Sequence, residues 1–454
     1  MIDKNSVSVI LCAGKGSRMN STRPKALNTI CGKSMLSYII DAQIDCGIHR
    51  IIIVCNSKNI DSIRANTDKD IAIDYVIQSK QLGTADALKV AVKNTAFKDI
   101  SNLFVFLGDT PLITHSDIIS VSNSLKSNDI LIASFETENP TGYGRIIRDN
   151  EGHICNIIEE GDATTEEKSI KTCFSGIIIF KNISSLSLID NIKNDNSKKE
   201  FYLTDVIKIA YKDNLNVRDI LLEYDSVRGV NDFIQLSQAE KIMSERIMQK
   251  FMKKGVHISL ADTSFIHPDT QFGENVTIEP NVYIGEGVII GDDVIIKSFS
   301  YLEGASIKKG AIIGPFARIR PDSNIGENSK VGNFVELKNA NIADNVKINH
   351  LSYIGDASLG SGTNIGAGTI TCNFDGVEKY KTIIGKNTFI GSNSALIAPI
   401  EISDNSYIGS GSVITKDVPA NSLSLSRSEQ VTKNNWAKTV SYTHHRAHET
   451  PEHL

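Results

Sequence analysis

The chain has 454 residues, and its 48 lysines and arginines against 53 aspartates and glutamates give a formal charge of −5. That balance excludes a broad basic surface for nucleic acid or anionic membrane, so any phosphate must be met by locally placed cations and backbone amides. Hydrophobic residues at 41% and charged residues at 22% suit a globular chain with room for about two to four domains.

The seven cysteines are an odd set with no CxxC pair, which supports neither a complete disulfide framework nor a zinc site. The apolar run Val7–Cys12 is too short for a secretory core, and no stretch approaches a membrane span. A cytoplasmic setting is the expectation.

From the N-terminus, Ser6–Cys12, Arg50–Cys55, Ile71–Ile77 and Asn102–Leu107 read as strands. Ser34–Cys46, Thr84–Lys93 and His115–Leu125 read as helices between them. Such alternation predicts, for residues 1–230, a parallel sheet with helices on both faces and ligands at the carboxyl ends of its strands.

Two polar, Gly-containing segments fall at those ends. After the first strand comes Leu11-Cys12-Ala13-Gly14-Lys15-Gly16-Ser17-Arg18-Met19, with Pro24-Lys25 close behind. Its glycines let backbone amides approach phosphate oxygens, and Lys15, Arg18 and Lys25 add charge. It matches neither the Walker loop nor the dinucleotide fingerprint, since Met19 stands where a third Gly belongs. Leu107-Gly108-Asp109-Thr110-Pro111-Leu112 sets a carboxylate at a strand end, where Mg²⁺ bridging phosphates would sit. Gln78 and Gln81-Leu82-Gly83-Thr84 join a strand to a helix, while Thr141–Arg145 and Gly229-Val230-Asn231 complete the set.

Phe233, Leu236, Glu240, Met243, Ile247 and Phe251 keep helical spacing up to Gly255, so residues 231–254 read as a linking helix. From Ile266 apolar residues recur every sixth position, with short slips, through 302, 337, 354, 365 and, after a gap, from 384 to 414. This pattern predicts a parallel β-helix of hexapeptide repeats over residues 255–430, with three short strands per coil and aliphatic anchors filling the prism. Residues 431–454 form a tail whose His444, His445 and His448 read as a solvated terminus rather than a metal site.

The repeat also permits a geometric inference. Arg320 and Lys338 each follow an anchor and stand one coil apart, so they should stack about 4.7–4.9 Å from each other. Two cations that close repel, and an anion between them reverses the sign. His350 lies in the next coil as a base suited to neutral pH, and counting places Glu336 where it would steer the imidazole. The row then breaks at Gly366–Gly376, followed by Lys379, a loop the scaffold does not require.

In this order the N-terminal motifs resemble the sugar-phosphate nucleotidyltransferases. From about Val7 to Arg427 the chain resembles the bacterial bifunctional N-acetylglucosamine-1-phosphate uridylyltransferase/glucosamine-1-phosphate N-acetyltransferase family. The resemblance implies an α/β, Rossmann-like nucleotidyltransferase domain with a mostly parallel sheet, followed by a left-handed parallel β-helix. It implies that Leu11, Gly14, Lys25, Gln78, Gly83 and Thr84 hold the uridine nucleotide, with Arg18 and Lys25 catalytic at its phosphates. Asp109 and Asn231 would ligate Mg²⁺, while Gly144 and Glu159 contact the amino sugar. In the second half Arg320, Lys338, Tyr353, Asn364 and Lys379 would bind glucosamine-1-phosphate, and His350 would deprotonate its amine. Ala367, Asn373, Phe374, Ser392, Ser410 and Arg427 would lie along acetyl-CoA. The resemblance further implies a homotrimer that makes UDP-N-acetylglucosamine, a precursor for peptidoglycan and lipopolysaccharide.

Three positions depart from the family pattern: Phe174 replaces an Asn that contacts the sugar, Leu107 a Tyr beside the metal Asp, and Phe374 a Tyr in the loop. A nucleotidyltransferase whose β-helix serves only assembly would lack His350, Asn373 and Lys379. A non-enzymatic scaffold would not need Gly14–Arg18, Asp109 and Asn231 at strand ends.

Overall fold

The computed structural model describes residues 2–14, 16–19, 21–67, 71–95, 100–181 and 183–440. Lys15 and the tail histidines lie outside them. The chain divides into two compact units, Met1–Lys254 with Phe265–Pro268, and Gly255–Ser264 with Asp269–Leu454.

In the first unit nine strands form one sheet. They are β1 (Val7–Leu11), β2 (Arg50–Cys55), β3 (Ala72–Ile77), β4 (Asn102–Leu107), β5 (Ile130–Glu136), β6 (Gly144–Arg148), β7 (Ile154–Ile158), β8 (Thr172–Lys181) and β9 (Val217–Leu221). The spatial order is β9-β5-β8-β4-β1-β2-β3, with β6 on β8 and β7 on β6. β1 runs parallel to β2 and β4, and β9 parallel to β5, while β8 is antiparallel to both its main neighbours. The central strands are mostly apolar because helices cover both faces. Val9, Ile52 and Val105 enter one core and Ile10, Ile51 and Phe104 the other. Each such side chain contributes about 1.5–3 kcal/mol of gross burial.

Helices α1 (Met35–Asp45), α2 (Ile60–Asn66), α3 (Thr84–Asn94), α4 (His115–Leu125) and α5 (Asp205–Lys212) connect the strands. Ser34 caps α1 by accepting from Ser37 N, and Thr114 and Asp117 form a capping box at α4. The last helix, α6 (Phe233–Lys253), packs within this unit through Ala239, Met243, Ile247, Met248 and Phe251. Phe233 opens its first turn and stays 53% exposed, so the apolar face begins later than the spacing suggests.

In the second unit the chain winds as a left-handed parallel β-helix with three walls. The first wall stacks Ile278, Ile296, Ile313, Val331, Ile348, Ile365, Ile390 and Ile408 in register. The second stacks Ile284, Leu302, Ile319, Leu337 and Ile354. Phe272, Ile290, Ile307, Ile325, Ile342, Leu359, Ile384 and Ile402 form the third. The hexad anchors are buried throughout, save Phe272, which is half-buried.

The gap in the row after Ile365 is filled by a polar residue. Ile370 pairs with Tyr353, and Thr371 with Leu396, so Thr371 holds the anchor position of the second wall and is fully buried. The chain leaves the wall after Cys372 and resumes at Thr382. Elsewhere the residue after an anchor donates its N–H to the next coil's anchor carbonyl, as Arg320 does to Leu337. Gly355 N instead donates to Thr371 Oγ1 at 2.8 Å. The hydroxyl supplies the acceptor where the backbone turns away, which is why a threonine stands in an aliphatic row.

Candidate active sites

The ends of the parallel strands build the first site. Leu11 pairs with Leu107, Gly108 N donates to Leu11 O at 3.1 Å, and Gln78 N donates to Cys55 O at 2.8 Å. Three loops therefore leave the sheet side by side. They line a cavity of about 480 Å³ that gathers Leu11, Gly14, Arg18, Lys25, Gln78, Gly83, Thr84, Leu107, Asp109 and Asn231. Gly83 has φ +124, and a Cβ there would meet the Phe201 backbone, so only glycine allows this close crossing. Thr84 Oγ1 accepts from Leu203 N at 2.9 Å, and the Gln78 amide donates to Gly83 O and Asp86 Oδ2. Both polar side chains thus brace the turn that forms the wall.

Opposite them lies a charged cluster. Lys25 Nζ is paired with Asp109 Oδ2 and donates to Asn231 Oδ1 at 2.9 Å, and Arg18 donates to the same oxygen at 2.8 Å. Asp109 Oδ1 is buried with no hydrogen-bond partner among the described residues. Two hard oxygens already facing one ammonium, with a spare carboxylate oxygen beside them, fit a divalent cation that takes its remaining ligands from water and phosphate. Glu200 also lines the cavity, a carboxylate that no motif in the sequence announces.

Gly144 and Glu159 do not line this cavity. They lie beyond it, at adjoining positions of β6 and the end of β7, with Phe174 of β8 in register opposite Gly144. Burial pushes the Glu159 carboxyl above its usual range, against the Thr204 hydroxyl, which donates to it at 3.1 Å, and the Lys198 charge. Leu107 nests against Gly176, where a Cβ would collide with it. Two of the departures from the family pattern, Leu107 and Phe174, thus present apolar groups on neighbouring strands.

In the β-helix, Arg320 N donates to Leu337 O at 2.9 Å, and Ile319 pairs with Leu337, so Arg320 and Lys338 occupy equivalent places on adjacent coils. They share the corner between the second and third walls. Lys379 reaches this corner from the ejected loop. Its contact with the Lys338 ammonium, and the charge repulsion between them, hold it below the usual lysine range. Burial raises the Asp356 carboxyl, but bonds from Asn339 and Asn373 and the two lysine charges outweigh it, and the net shift is downward. Tyr353 lies on the second wall, its hydroxyl over Gly355 at the same corner.

The expected role of Glu336 needs correction. Its register partner is Tyr353, and its carboxylate takes Arg320 at 3.0 Å instead of the imidazole. His350 Nδ1 lies 2.6 Å from Asn333 Oδ1, and these two residues are register partners on the first wall. Counting one coil back from His350 itself, rather than from Tyr353, would have found Asn333.

His350 heads a column at the corner between the first and second walls. Continuing the pairing of Lys347 with Asn364, of Asn364 with Phe389 and of Phe389 with Tyr407 sets Ala367, Ser392 and Ser410 one above another beyond it. Arg427 caps the column by donating to Ser410 O at 3.1 Å. Asn373 and Phe374 stand elsewhere, at the start of the ejected loop, with the Asn373 amide bound to Asp356 and Phe374 58% exposed. Asn364 faces outward from the first wall between Lys347 and Phe389, away from the Arg320 corner. Within one chain each expected ligand set is therefore divided between corners.

Beside His350 an apolar ladder runs along the same edge. Phe299, Phe316, Phe334 and Leu351 are about half exposed, and the three rings stack at 4.9 and 5.2 Å between centroids. All four have φ between 50 and 61, at a corner position that Asn281, Gly368 and Asn393 fill in other coils. Left-handed backbone at a bulky residue costs roughly 1–2 kcal/mol.

Residues 8–157 match the model of the MobA-like NTP transferase domain, and 269–304, 304–339 and 381–416 match bacterial transferase hexapeptide repeats. Over 437 residues the chain is 41% identical to the bifunctional protein GlmU of Bartonella quintana, covering 96% of this chain and 97% of that one. It is 39% identical over 448 residues to that of Clostridium botulinum (strain 657 / Type Ba4), covering 94% and 97%. Against that of Staphylococcus epidermidis (strain ATCC 12228 / FDA PCI 1200) it is 40% identical over 450 residues, covering 95% and 99%.

Proposed function

The chain belongs to the bifunctional GlmU family, and from that premise we propose how its residues divide the work. It is a transferase with two activities. The β-helix unit acetylates glucosamine-1-phosphate from acetyl-CoA, and the N-terminal unit then transfers UMP from UTP to N-acetylglucosamine-1-phosphate, releasing pyrophosphate. The observation that carries the residue assignment is the single cavity joining Gly14, Arg18, Lys25, Asp109 and Asn231.

In the first unit the sugar phosphate oxygen attacks the α-phosphorus as the bond to the β-phosphate oxygen breaks. The nucleophile is already ionised, so no base is required. Arg18 and Lys25 meet the charge that develops on the phosphates, Gly14 offers its backbone, and the turn braced by Gln78, Gly83 and Thr84 holds the base. Asp109 and Asn231 would hold Mg²⁺, which would supply positive charge against the phosphates. Gly144 and Glu159 hold the sugar.

In the β-helix Arg320, Lys338 and Lys379 grip the sugar phosphate, with Tyr353 on the sugar. The amine attacks the thioester carbonyl carbon, the C–S bond breaks, and the proton passes to His350 Nε2 and on to the departing thiolate. The column Ala367, Ser392, Ser410 and Arg427 lies along acetyl-CoA. Asn364 faces out from the first wall, Asn373 and Phe374 begin the ejected loop, and a threefold assembly would reunite the divided sets. The exposed ladder beside His350 is the seam we assign to that homotrimer. All seven cysteines are free and no helix among the described residues is long and apolar enough to cross a membrane; a cytoplasmic location is part of this proposal.

The test is incubation with glucosamine-1-phosphate, acetyl-CoA, UTP and Mg²⁺, reading the nucleotide sugar. His350→Ala should abolish acetyl transfer and spare UTP-dependent pyrophosphate release from N-acetylglucosamine-1-phosphate. Loss of both would overturn the division of labour.

A further inference from the structure

We propose that Asn333 is the positioning residue for His350, fixing the tautomer in which Nδ1 carries the proton and Nε2 the free lone pair. The inference rests on the reading of His350 as the base that takes the amine proton. A neutral imidazole has one donor and one acceptor nitrogen, and which is which is set by the partner of the other nitrogen. Here Asn333 Oδ1 lies 2.6 Å from Nδ1, and an amide oxygen only accepts, so Nδ1–H donates to it.

The contact is built into the winding. Asn333 ends the strand Lys330–Asn333 and His350 ends Lys347–His350, and the two are register partners on successive coils. Leu351 N donates to Asn333 O at 3.0 Å, and Ser352 Oγ donates to His350 O at 2.9 Å, so both polar groups of the peptide that follows His350 are held. Amide and ring are therefore held by the scaffold rather than by a loop.

An amide in this place orients without adding charge. The neighbouring carboxylate, Glu336, is bound to Arg320. Of the other charged or titratable groups on the packed strands, Lys330 and Lys347 sit at the far ends of the two first-wall strands, while Lys338 and Tyr353 lie on the second wall. None of them is the hydrogen-bond partner of the ring. A carboxylate partner would favour the imidazolium and leave less neutral base at a given pH. Asn333 gives the orientation of a catalytic triad while the base stays available.

The experiment is the pH dependence of kcat/KM for acetyl transfer to glucosamine-1-phosphate, in the full chain and in Asn333→Ala and Asn333→Asp. Asn333→Ala should lower kcat by about 10- to 100-fold, part of what a general base supplies, with KM within about twofold. Asn333→Asp, nearly isosteric, should recover most of that kcat and move the acidic limb of the profile upward by about one pH unit. A thermal melt followed by circular dichroism on the same preparations reports that the β-helix of each variant is folded. A wild-type kcat in Asn333→Ala, or an acidic limb that stays in place in Asn333→Asp, would overturn the proposal. Retained acetyl transfer in His350→Ala would instead remove the reading on which it rests.

Discussion

Lys25 Nζ donates to Asn231 Oδ1 at 2.9 Å across 206 positions of chain, and the same ammonium is paired with Asp109. One cation thus collects the two oxygens assigned to the metal. Asp109→Asn keeps the shape and removes the charge, and it should lower UTP-dependent pyrophosphate release about a thousandfold, as several kcal/mol of charge stabilisation implies. Chelation of divalent ions should do the same to wild type. Acetyl transfer, assayed with chelator present, should be unchanged in both; a parallel fall would count against the metal assignment.

Phe174 adjoins Gly144, and a ring there offers no hydrogen bond to a sugar hydroxyl. Apolar pockets discriminate weakly, whereas a site built to bond a hydroxyl rejects the analogue that lacks it. Wild type should therefore accept N-acetylglucosamine-1-phosphate and its deoxy and epimeric analogues within about tenfold in kcat/KM. Phe174→Asn should widen that ratio by about another tenfold. An unchanged ratio would take Phe174 out of the sugar subsite.

Lys379 is held below the usual lysine range by Lys338, so its neutral form appears at lower pH than an isolated lysine's. A phosphate between the two ammoniums favours the charged form and raises the pKa again. Binding of glucosamine-1-phosphate should then take up protons on the alkaline side, below pH 10.5, and weaken as pH rises through the depressed value. Calorimetry in two buffers of different ionisation heat measures the uptake. It should vanish in Lys338→Met, and equal heats in wild type would deny that the pair shares the phosphate.

Phe316 stands in the middle of the exposed ladder with φ 56. Asn is the residue that other coils use at this conformation, so Phe316→Asn should leave the β-helix folded while removing apolar contact from the seam. Sedimentation should show the proposed trimer weakened, with acetyl transfer falling in step and uridylyl transfer kept. A trimer as tight as wild type would place the seam on another face.

Thr371 replaces an aliphatic anchor and supplies the acceptor for Gly355 N. Thr371→Val fills the same volume but leaves that N–H without its partner, which should destabilise the chain by about 1–3 kcal/mol. Thr371→Ser should recover most of the loss in a denaturant titration. A valine variant as stable as wild type would mean that backbone carbonyls take over the bond.

The hexad row was legible because the coil has a near-constant length. Burial of Ile296, Ile319 and Ile342 follows from counting, and so does the stacking of Arg320 over Lys338. The sheet strands were legible for a related reason: runs such as residues 51–55 must be apolar when both faces are covered. Thr371 was not, because its hydroxyl answers a backbone departure that no periodicity encodes.

The walls, their register and the strand ends at which ligands gather all follow from local period and burial, and were readable in the chain before folding was considered. The tertiary structure decided which polar groups meet. Glu336 turned to Arg320, Asn333 took the imidazole, Glu200 joined the cavity, and Asn364 fell on the first wall while Asn373 turned to Asp356. Those outcomes depend on strand order and on competition among side chains for the same donors. Both are properties of the folded chain that spacing alone does not carry.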